Sequence, residues 1–407
     1  MNKTIKVIQF TDAYYPTVDG VISVVKNYTT QLNKRDVCSI AAPSASRKSN
    51  YVDADGFEVV RCKAMPAPEG YRNALSAFDG KFKKEMLAKD VDIIHAHSPF
   101  EIGRTAARLA KKKGVPLVAT LHTQYHQDFE RVLGKRNPLV KFMIRYIMSV
   151  FKKADSVWTV SNASKAYLHR YGYKGEIRVI RNATDYVYPE NAKELSDKIK
   201  KLHNLENQEN IFVFVGRMAK YKNLLLLCDA LKIVKDNNKD FKMLFVGGGF
   251  DLDEIKDYAK RIGISDKCIF TGSVGNRSDL QGYYLASDLL IFPSTFDMAS
   301  IVQVEASAHK KPAVVVRGSC SAEQIIDNEN GFLCEESAES LAQKLIELCS
   351  NPKLMKDAGI KAYETLYRTW DMVGQEVANA YREIIEEYNQ AYKGPLKRFR
   401  RKRFKKR

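Results

Sequence analysis

The sequence predicts an α/β protein with two doubly wound, Rossmann-like domains, followed by a C-terminal helix and a basic tail. Short apolar runs typical of buried strands alternate with segments of helical spacing. The same order of strand, loop and helix starts a second time near residue 210, and such alternation is typical of parallel sheets. The length of 407 residues suits two domains of ordinary size, each with its own core.

The composition indicates a globular, cytoplasmic protein. Hydrophobic residues make up 45% of the chain, which is typical of folded rather than disordered sequences. The N-terminal sequence "MNKTIKVIQFTDAYYP" is unlike a signal peptide, and no run of about 18 apolar residues predicts a membrane span. The seven cysteines show neither a CxxC pair nor metal-ligand spacing, so we expect a reducing compartment and mostly buried thiols.

The first half of the chain opens with a predicted strand at residues 5–10, a loop that contains Gly20, and a helical pattern. The further strands predicted in this half cover residues 36–43, 57–62, 92–97, 116–122, 156–161 and 176–184. Helical segments such as residues 103–114 lie between them. This half is the predicted N-terminal domain, residues 1–190.

The second half repeats the pattern, and the polar stretch around Pro189 predicts the boundary between the halves. Its predicted strands cover residues 210–217, 241–249, 268–274, 289–294 and 311–318. We assign residues 191–370 to a C-terminal domain and residues 371–392 to a helix that packs back on the N-terminal domain. Residues 393–407 form a polybasic tail.

Doubly wound domains bind ligands at the carboxyl ends of their strands, so the loops that follow strands are the candidate sites. In "VGRMAKYKN", Arg217 follows a strand and Lys222 stands near the start of a helix. Two cations beside a helix N-terminus suit a diphosphate, through their charge and through free backbone N–H groups. The alternative is a pair of solvated surface cations.

The loop in "FPSTFDMASIVQVEASA" carries an acidic pair. Asp297 should face the ligand, and Glu305 should lie one to two turns into a helix that begins near Ser300. Such acids accept hydrogen bonds from sugar hydroxyls, while the N–H groups of Ile301 and Val302 can meet a phosphate. The alternative makes Asp297 a helix N-terminal acid and Glu305 a surface residue.

Histidines and glycines also follow predicted strands. His122 in "TLHTQYHQDF" is a candidate site residue, although a lone histidine is often structural. His95 and His97 lack a third ligand at metal spacing, and we interpret them as polar lining of the ligand cleft. Glycines after strands let phosphate, sugar or base approach the backbone, and they are Gly20, Gly247, Gly248, Gly249 and Gly272.

In combination and order, these segments resemble glycosyltransferase family 4, the retaining enzymes of GT-B fold, in which two Rossmann-like domains face each other. "VGRMAKYKN" resembles the family motif G-R-x4-K-N, and Asp297-x7-Glu305 resembles E-x7-E with the first acid one methylene shorter. "YLASDLLIFPS", "SNASKAYLHRYG", "VIRNATD" and "IIDNENGFL" are similar to lesser family segments. "TDAYYPTVDGVISVV" and "HTQYH" look most like the diacylglycerol glucosyltransferases.

The resemblance implies roles for the donor-site residues. Arg217 and Lys222 would neutralise the diphosphate leaving group, Glu305 would bind the donor ribose, and Asp297 would contact the transferred sugar. The family normally needs no divalent metal, so we expect neither a metal nor another cofactor. Its mechanism is usually viewed as front-face displacement, in which stabilisation of the leaving group is the main electrostatic contribution.

The resemblance also implies that the N-terminal domain takes the acceptor, and it implies roles for residues nearer the sugar and the base. His122 would touch the hydroxyl side of the sugar and help to align it. Gly20 would let the first loop approach the diphosphate, and Val274 would lie near the base. We count His122 and Asp297 as the candidate catalytic residues.

The basic tail is a candidate membrane-binding segment. It holds ten of the lysines and arginines and leaves about +8 of the formal charge of +18 to the rest of the chain. Its predicted membrane-binding residues are Lys397, Arg398, Phe399, Arg400, Arg401, Lys402, Arg403 and Phe404. Nucleic-acid binding and a merely solvated end are alternatives. A second basic and apolar segment, residues 134–153, supports the membrane interpretation, with an ordinary core helix as its alternative.

The resemblance therefore predicts a retaining transferase that moves a hexose from a nucleotide-diphosphate sugar to a membrane lipid at the inner face of the cell membrane, with glucose, UDP-glucose and diacylglycerol as the expected sugar, donor and acceptor. One alternative is transfer to a polysaccharide or cell-wall precursor. A nucleotide-sugar epimerase shares the fold, but the R-x4-K and acidic spacings argue against it. A catalytically weak, membrane-bound sugar-nucleotide-binding protein is the alternative outside the enzymes.

Overall fold

The structure is a computed structural model that describes residues 3–17, 19–45, 53, 56–67 and 71–392. The chain forms two compact units, one from Met1–Arg181 with Trp370–Arg407 and the other from Asn182–Thr369. The predicted tail, residues 393–407, lies outside the described residues. Among the described helices, none combines the length and the apolar character that a membrane crossing requires.

The elements follow in chain order. The strands before residue 182 are β1 (Lys6–Phe10), β2 (Val37–Pro43), β3 (Val59–Cys62), β4 (Ala64–Pro66), β5 (Arg72–Ala74), β6 (Ile93–Ala96), β7 (Leu117–Leu121), β8 (Ser156–Thr159) and β9 (Ile177–Val179). The helices there are α1 (Gly20–Leu32), α2 (Gly80–Ala88), α3 (Glu101–Lys113), α4 (Tyr125–Leu133), α5 (Pro138–Phe151) and α6 (Asn162–Arg170).

The second unit continues the numbering. Its strands are β10 (Ile211–Val215), β11 (Lys242–Val246), β12 (Cys268–Gly272), β13 (Leu289–Phe292), β14 (Ala313–Val316) and β15 (Phe332–Cys334). Its helices are α7 (Ala192–Leu202), α8 (Leu224–Asp236), α9 (Leu252–Arg261), α10 (Arg277–Ala286), α11 (Ile301–Ala308), α12 (Ala338–Cys349) and α13 (Pro352–Leu366), and α14 (Trp370–Tyr392) returns to the first unit.

Each unit is built on a parallel sheet. The first sheet has the order β3-β2-β1-β6-β7-β8-β9 and the second β12-β11-β10-β13-β14-β15. Parallel strands covered on both faces are apolar along their whole length, and every residue of β7 and β10 is buried. For this reason the apolar runs predicted all of these strands except β15, which has only three residues. The equally short antiparallel pair β4 and β5 was also missed.

Strand order identifies the edge where ligands are expected. In the first sheet the order reverses between β1 and β6, and in the second between β10 and β13. Helices after strands on either side of such a reversal lie on opposite faces of the sheet, which opens a crevice at the carboxyl ends of the two strands. The loops that follow β1, β6, β10 and β13 are therefore the best placed for binding.

The change of unit comes at Arg181–Asn182, earlier than the predicted boundary at 190/191. The segment after Arg181 belongs to the second unit, because Tyr186 is buried in its core. The backbone N–H of Thr184 donates to the carbonyl of Arg368 at 3.0 Å, and the Tyr367 hydroxyl donates to the carbonyl of Tyr186 at 3.0 Å. Polar composition alone did not reveal these contacts.

Helix α14 packs against α1 within the first unit. Gly374 permits the close approach, because a Cβ atom at this position would lie 2.4 Å from the Cβ of Gln31. The apolar face of α14 repeats at helical spacing, and Val377, Tyr381 and Ile384 are buried. Tyr381 thereby reaches the sheet of the first unit, where it contacts histidines that are described below.

Candidate functional site

The loops after β10 and β13 bring two predicted donor-site residues together. Lys222 Nζ donates hydrogen bonds to both carboxylate oxygens of Asp297, at 2.8 and 2.9 Å. Lys222 is 9% exposed, and its Nζ lies 5.2 Å from the centroid of the Phe292 ring. Solvated surface cations were therefore the wrong alternative for Lys222, which is a buried, charge-paired lysine at the reversal of strand order.

Further contacts fix the positions of these two loops. The Ser294 hydroxyl donates to Asp297, and the Asn223 amide donates to the carbonyl of Pro293 at 3.1 Å and to Glu336 at 2.8 Å. Asn223 adopts a φ of 59°, a left-handed conformation that asparagine tolerates better than most residues. The carboxylate of Asp297 is thus held by a cation and a hydroxyl from two different segments.

Helix α11 begins directly after this loop. Ser300 is its N-cap residue, and the Ser300 hydroxyl accepts a hydrogen bond from the backbone N–H of Gln303 at 3.3 Å. Ile301 and Val302 are the first two helical residues. The first N–H groups of a helix have no carbonyl partner within it, and the helix dipole favours an anion beside them.

Glu305 lies further along α11 and is not the surface residue of the alternative interpretation. The Tyr284 hydroxyl donates to its carboxylate at 2.7 Å. Burial raises the pKa of Glu305 above its usual range, although the hydrogen bond from Tyr284 opposes the shift. The Tyr284 ring in turn stacks on His309 with centroids 5.2 Å apart, so that Glu305 is held from an adjacent helix.

Glycines after β10 and β11 allow two backbones to meet. A Cβ at Gly247 would lie 2.0 Å from the carbonyl oxygen of Gly216, and one at Gly249 would lie 2.3 Å from that of Met218. Gly216 and Gly247 also adopt positive φ angles of 148° and 138°. Gly247 and Gly249 are therefore required for packing of the chain against itself, while the approach of a ligand to the glycines after β11 stays a prediction.

We predict that Gly247→Ala destabilises the protein far more than Gly263→Ala. Gly263 has a φ of +76° with open space around its Cβ position, so its substitution costs only backbone strain, about 1 kcal/mol. Gly247→Ala adds a backbone clash and should cost about 3 kcal/mol or more. Urea unfolding midpoints of the two variants measure the difference. Equal midpoints would contradict the close approach of Gly247 to Gly216.

The first unit places His122 beside two buried histidines. His122 follows β7 and is half-buried, whereas His95 and His97 are fully buried. The ring centroids of His95 and His97 are 3.9 Å apart, and those of His97 and His122 are 5.2 Å apart. Our interpretation of His95 and His97 as cleft lining was wrong, because both side chains are fully buried, His95 within the central strand β6 and His97 directly after it.

Burial keeps these imidazoles neutral. It lowers the pKa of His122 to about 3 and the pKa values of His95 and His97 well below their usual range, and the neighbouring imidazoles add to the effect on the latter two. All three rings are therefore uncharged near pH 7. His122 is accordingly suited to exchange hydrogen bonds, and not to supply a positive charge.

Asp12 follows β1 on the other side of the strand-order reversal. Its backbone N–H donates to the Ser98 hydroxyl at 3.0 Å, while its Oδ2 is buried without a hydrogen-bond partner among the described residues. Burial, and secondarily the charge of Glu101, raise the pKa of Asp12 to about 7. The carboxyl of Asp12 therefore changes its charge close to neutral pH.

The shift in Asp12 predicts that stability falls as pH rises. Because the pKa is about 7 in the folded protein and near 4 in an unfolded chain, the folded state holds the proton more tightly, and its advantage is lost between about pH 4 and pH 7. Asp12→Asn removes the pH-dependent contribution of this carboxyl. The free energy of unfolding of the variant, relative to that of wild type, should therefore rise with pH, by about 2 kcal/mol or more at pH 8. Urea unfolding of both proteins at pH 5 and pH 8 measures the change. A pH-independent difference would contradict it.

The remaining predicted residues lie at strand or helix ends. Gly20 opens α1 after Asp19, whose carboxylate accepts the N–H of Ile22 at 2.8 Å. Arg217 lies two residues after the end of β10, and Val274 follows β12 and is half-buried against the second core. The predicted membrane-binding residues of the tail lie outside the described residues. Within the described part of the chain, no group of three or more His, Cys, Asp or Glu residues could hold a metal ion.

Sequence reasoning missed the residues that hold the acidic pair. Ser294 and Tyr284 contact Asp297 and Glu305 respectively. Both stand in the segment "YLASDLLIFPS", so the family resemblance contained the signal, but it did not show which side chain meets which acid. Gln9 and Tyr381, which contact the histidines, carried no recognisable signal, because they lie in a strand and a helix that read as core.

Comparisons with known families cover most of the chain. Residues 18–187 match the family described as Glycosyltransferase Family 4. Residues 195–365 match the family described as Glycosyl transferases group 1. The two matches fall on the two halves that the repeated strand and helix pattern had predicted.

Among curated proteins, the chain is similar to two alpha-monoglucosyldiacylglycerol synthases. It is 27% identical to that of Streptococcus pneumoniae over 316 residues, which are 75% of this chain and 69% of the relative. It is 25% identical to that of Acholeplasma laidlawii over 393 residues, which are 88% of this chain and 95% of the relative.

Among solved structures, the chain resembles Anabaena HepE in complex with UDP and glucose. The TM-score is 0.75 at 18% identity, with 93% of this chain and 99% of that chain covered. A sucrose-phosphate synthase from Thermosynechococcus elongatus gives a TM-score of 0.77 at 17% identity, with coverage of 94% and 99%. These likenesses confirm the predicted GT-B fold class.

Proposed function

Because this chain belongs to glycosyltransferase family 4, we propose that it moves a hexose from a nucleotide-diphosphate sugar to a membrane lipid. The donor would be UDP-glucose and the acceptor diacylglycerol, with retention of the anomeric configuration. The observation that carries the proposal is the Lys222–Asp297 ion pair beside the N-terminus of α11. It puts a cation, an acid and free backbone N–H groups within one strand-end region, as a sugar diphosphate requires.

On the donor side, positive charge and backbone N–H groups would serve the diphosphate. Lys222 and Arg217 would stabilise its charge as the bond to the sugar breaks, together with the N–H groups of Ile301 and Val302. Neutralisation by these groups supports catalysis without a divalent metal or another cofactor. Asp297 would accept hydrogen bonds from the sugar, since Lys222 and Ser294 already fix its carboxylate.

Glu305 would bind the ribose of the donor. Its burial and its hydrogen bond from Tyr284 support this role, because a rigid, desolvated carboxylate binds a pair of hydroxyls without first giving up water. Val274 would lie near the base. The roles expected of Gly20 towards the diphosphate and of His122 towards the sugar stay predictions. The two related synthases favour glucose and diacylglycerol, and the HepE complexes favour UDP.

The transfer reaction tests the proposal directly. Purified protein is incubated with UDP-glucose, UDP-galactose or UDP-N-acetylglucosamine and with diacylglycerol vesicles or oligosaccharides, and products are read by mass spectrometry. We expect glucosyl-diacylglycerol with the α configuration in the proton NMR spectrum. Glu305→Gln should lower kcat/KM for the donor about tenfold or more, because a hydrogen bond to a charged group contributes about 1.5–3 kcal/mol.

The exposed Glu339 at the start of α12 provides the matched control, and Glu339→Gln should leave kcat/KM unchanged. Transfer to oligosaccharide alone would favour the polysaccharide or cell-wall alternative. Binding of UDP-glucose with neither transfer nor hydrolysis in a lipid extract would support a sugar-nucleotide-binding protein and overturn the proposed enzyme.

Attachment to the inner face of the cell membrane is the second part of the proposal. Helices α4 and α5 pack together and carry an exposed apolar surface, with Val132, Leu139 and Phe142 exposed by 71%, 53% and 61%. Exposed cations stand on the same two helices and in the loop between them, namely Arg131, Lys135, Arg136, Lys141 and Arg145. The opposite face of α5 is buried, so this helix is amphipathic and anchored in the first unit.

An apolar surface that is accompanied by exposed cations is suited to binding an anionic lipid surface. Aromatic and aliphatic tips would enter the headgroup region while the cations meet lipid phosphates. The basic tail would add further cations, each worth roughly 1 kcal/mol near the surface at low salt. The α4–α5 surface and the tail together would hold the enzyme where its lipid acceptor is found.

Vesicle flotation distinguishes the two membrane contacts. Deletion of residues 393–407, or Leu139→Ser with Phe142→Ser, should each reduce the fraction of protein that floats with anionic vesicles by about tenfold at low salt. Phe250→Ser, at an exposed phenylalanine of the second unit, is the control and should change nothing. Unchanged flotation after the deletion would refute the role of the tail, and unchanged flotation of the double variant would refute that of the α4–α5 surface.

A further inference from the structure

A chain of hydrogen bonds crosses the sheet of the first unit and ends on His122. His97 Nδ1 lies 3.0 Å from His122 Nε2, and His97 Nε2 is hydrogen-bonded to Gln9 Oε1. Gln9 Nε2 donates to the Tyr381 hydroxyl at 3.3 Å. A second branch continues from Tyr381, whose hydroxyl lies 2.6 Å from His95 Nδ1, while His95 Nε2 lies 2.6 Å from Thr120 Oγ1. All members except His122 lie within the core of the unit.

The direction of each bond follows from chemistry once the imidazoles are neutral. A neutral imidazole has one N–H donor and one lone-pair acceptor. An amide oxygen can only accept, so His97 must carry its proton on Nε2. His97 Nδ1 is then an acceptor, and His122 must donate to it from Nε2. His122 Nδ1 is consequently left as a lone pair.

The orientation of the Gln9 amide sets this direction. Its nitrogen faces the Tyr381 hydroxyl, and the Gln9 side chain also interacts with the Cys38 thiol. The Cys38 thiol itself contacts Thr29 Oγ1 at 3.7 Å, so the sulfur can accept from Gln9 while its proton is shared with threonine. The amide donors of Gln9 thus have acceptors beside them, and its oxygen is left for His97. A reversed amide would invert every bond and put the proton of His122 on Nδ1.

We propose that Gln9 and His97 are positioning residues that hold His122 as its Nε2–H tautomer, with Nδ1 presented as a hydrogen-bond acceptor. His122 Nδ1 has no hydrogen-bond partner among the described residues, and His122 is the one half-buried ring of the three. A ligand that meets it must bring a donor, as a sugar hydroxyl does. This inference rests on the proposed function only in naming the sugar as that ligand.

The arrangement explains why two polar side chains are buried in the core of the first unit, Gln9 within β1 and His97 directly after β6. Gln9 and His97 are both fully buried, and burial of a polar group is unfavourable unless its hydrogen bonds are made. Here each bond fixes the next donor or acceptor in sequence. A tautomer chosen in advance spares the ligand the free energy of selecting one, which is a form of preorganisation.

Nitrogen NMR of the histidine rings tests the inference without reference to activity. The chain has seven histidines, so a two-bond proton–nitrogen correlation spectrum of ring-labelled protein is simple, and a His122→Gln variant assigns the signal. We expect wild-type His122 with a protonated Nε2 and a bare Nδ1 at pH 7. A protonated Nδ1 on His122 would overturn the proposal, whether or not the protein transfers sugar.

Variants of Gln9 supply the second measurement. Gln9→Leu removes the acceptor, so His122 should show a mixture of tautomers, and kcat should fall about tenfold with the KM for the donor changed less than threefold. Gln9→Glu can still accept from His97 and should restore both the tautomer and the rate. Thr120→Val, on the branch through His95, is the matched control and should alter neither.

The outcomes separate the inference from the proposed function. If Gln9→Leu leaves the His122 spectrum unchanged, the proposed positioning of His122 by Gln9 is wrong even where activity falls. If the spectra behave as expected but no donor sugar is ever transferred, the proposed positioning of His122 stands and the proposed function fails. The unfolding midpoint of Gln9→Leu shows whether a loss of rate reflects unfolding, and the wild-type spectrum decides the tautomer independently of any variant.

Discussion

Parallel strand pairing places the loop after every strand at the same edge of a sheet, and the chemistry of this protein depends on that constraint. Lys222 follows β10, and Asp297 follows β13, so two residues 75 positions apart in sequence meet as an ion pair. In the other unit, Asp12 follows β1 and His122 follows β7, with β6 between these strands. Strand order, more than any local motif, decides which side chains can cooperate.

Charge balance in the second unit has a consequence for donor binding. Lys222 already has a carboxylate partner in Asp297, so a diphosphate would have to share this cation with an acid. Lys222 and Asp297 fix each other before a ligand binds, so neither side chain has to be ordered when it does. Asp297 carries one methylene fewer than the usual family glutamate, and the buried Lys222 and Ser294 meet the shorter side chain where it ends.

Apolar periodicity predicted the fold well, because buried parallel strands are apolar along their whole length. The sequence pattern predicted the strands β10 and β13 and a helix that starts near Ser300, and the structure has α11 starting at Ile301. Contacts between side chains could not be predicted from the sequence, since no spacing rule links Tyr284 on one helix to Glu305 on another. His95 and His97 were misread because a polar residue in a strand does not reveal whether its hydrogen bonds are made inside the core or at a ligand.

The central claim is that Lys222 serves the diphosphate and Asp297 serves the sugar, a division of roles between the two residues of the ion pair. Calorimetric titration of UDP into Lys222→Met and Asp297→Asn, with transfer rates measured alongside, tests this claim most directly. If Lys222 serves the diphosphate and Asp297 the sugar, Lys222→Met weakens UDP binding about tenfold or more. Asp297→Asn, which removes the competing carboxylate, leaves UDP affinity equal or higher while transfer falls at least about tenfold. Loss of UDP affinity in Asp297→Asn as large as in Lys222→Met, or unchanged transfer in Asp297→Asn, would contradict this division.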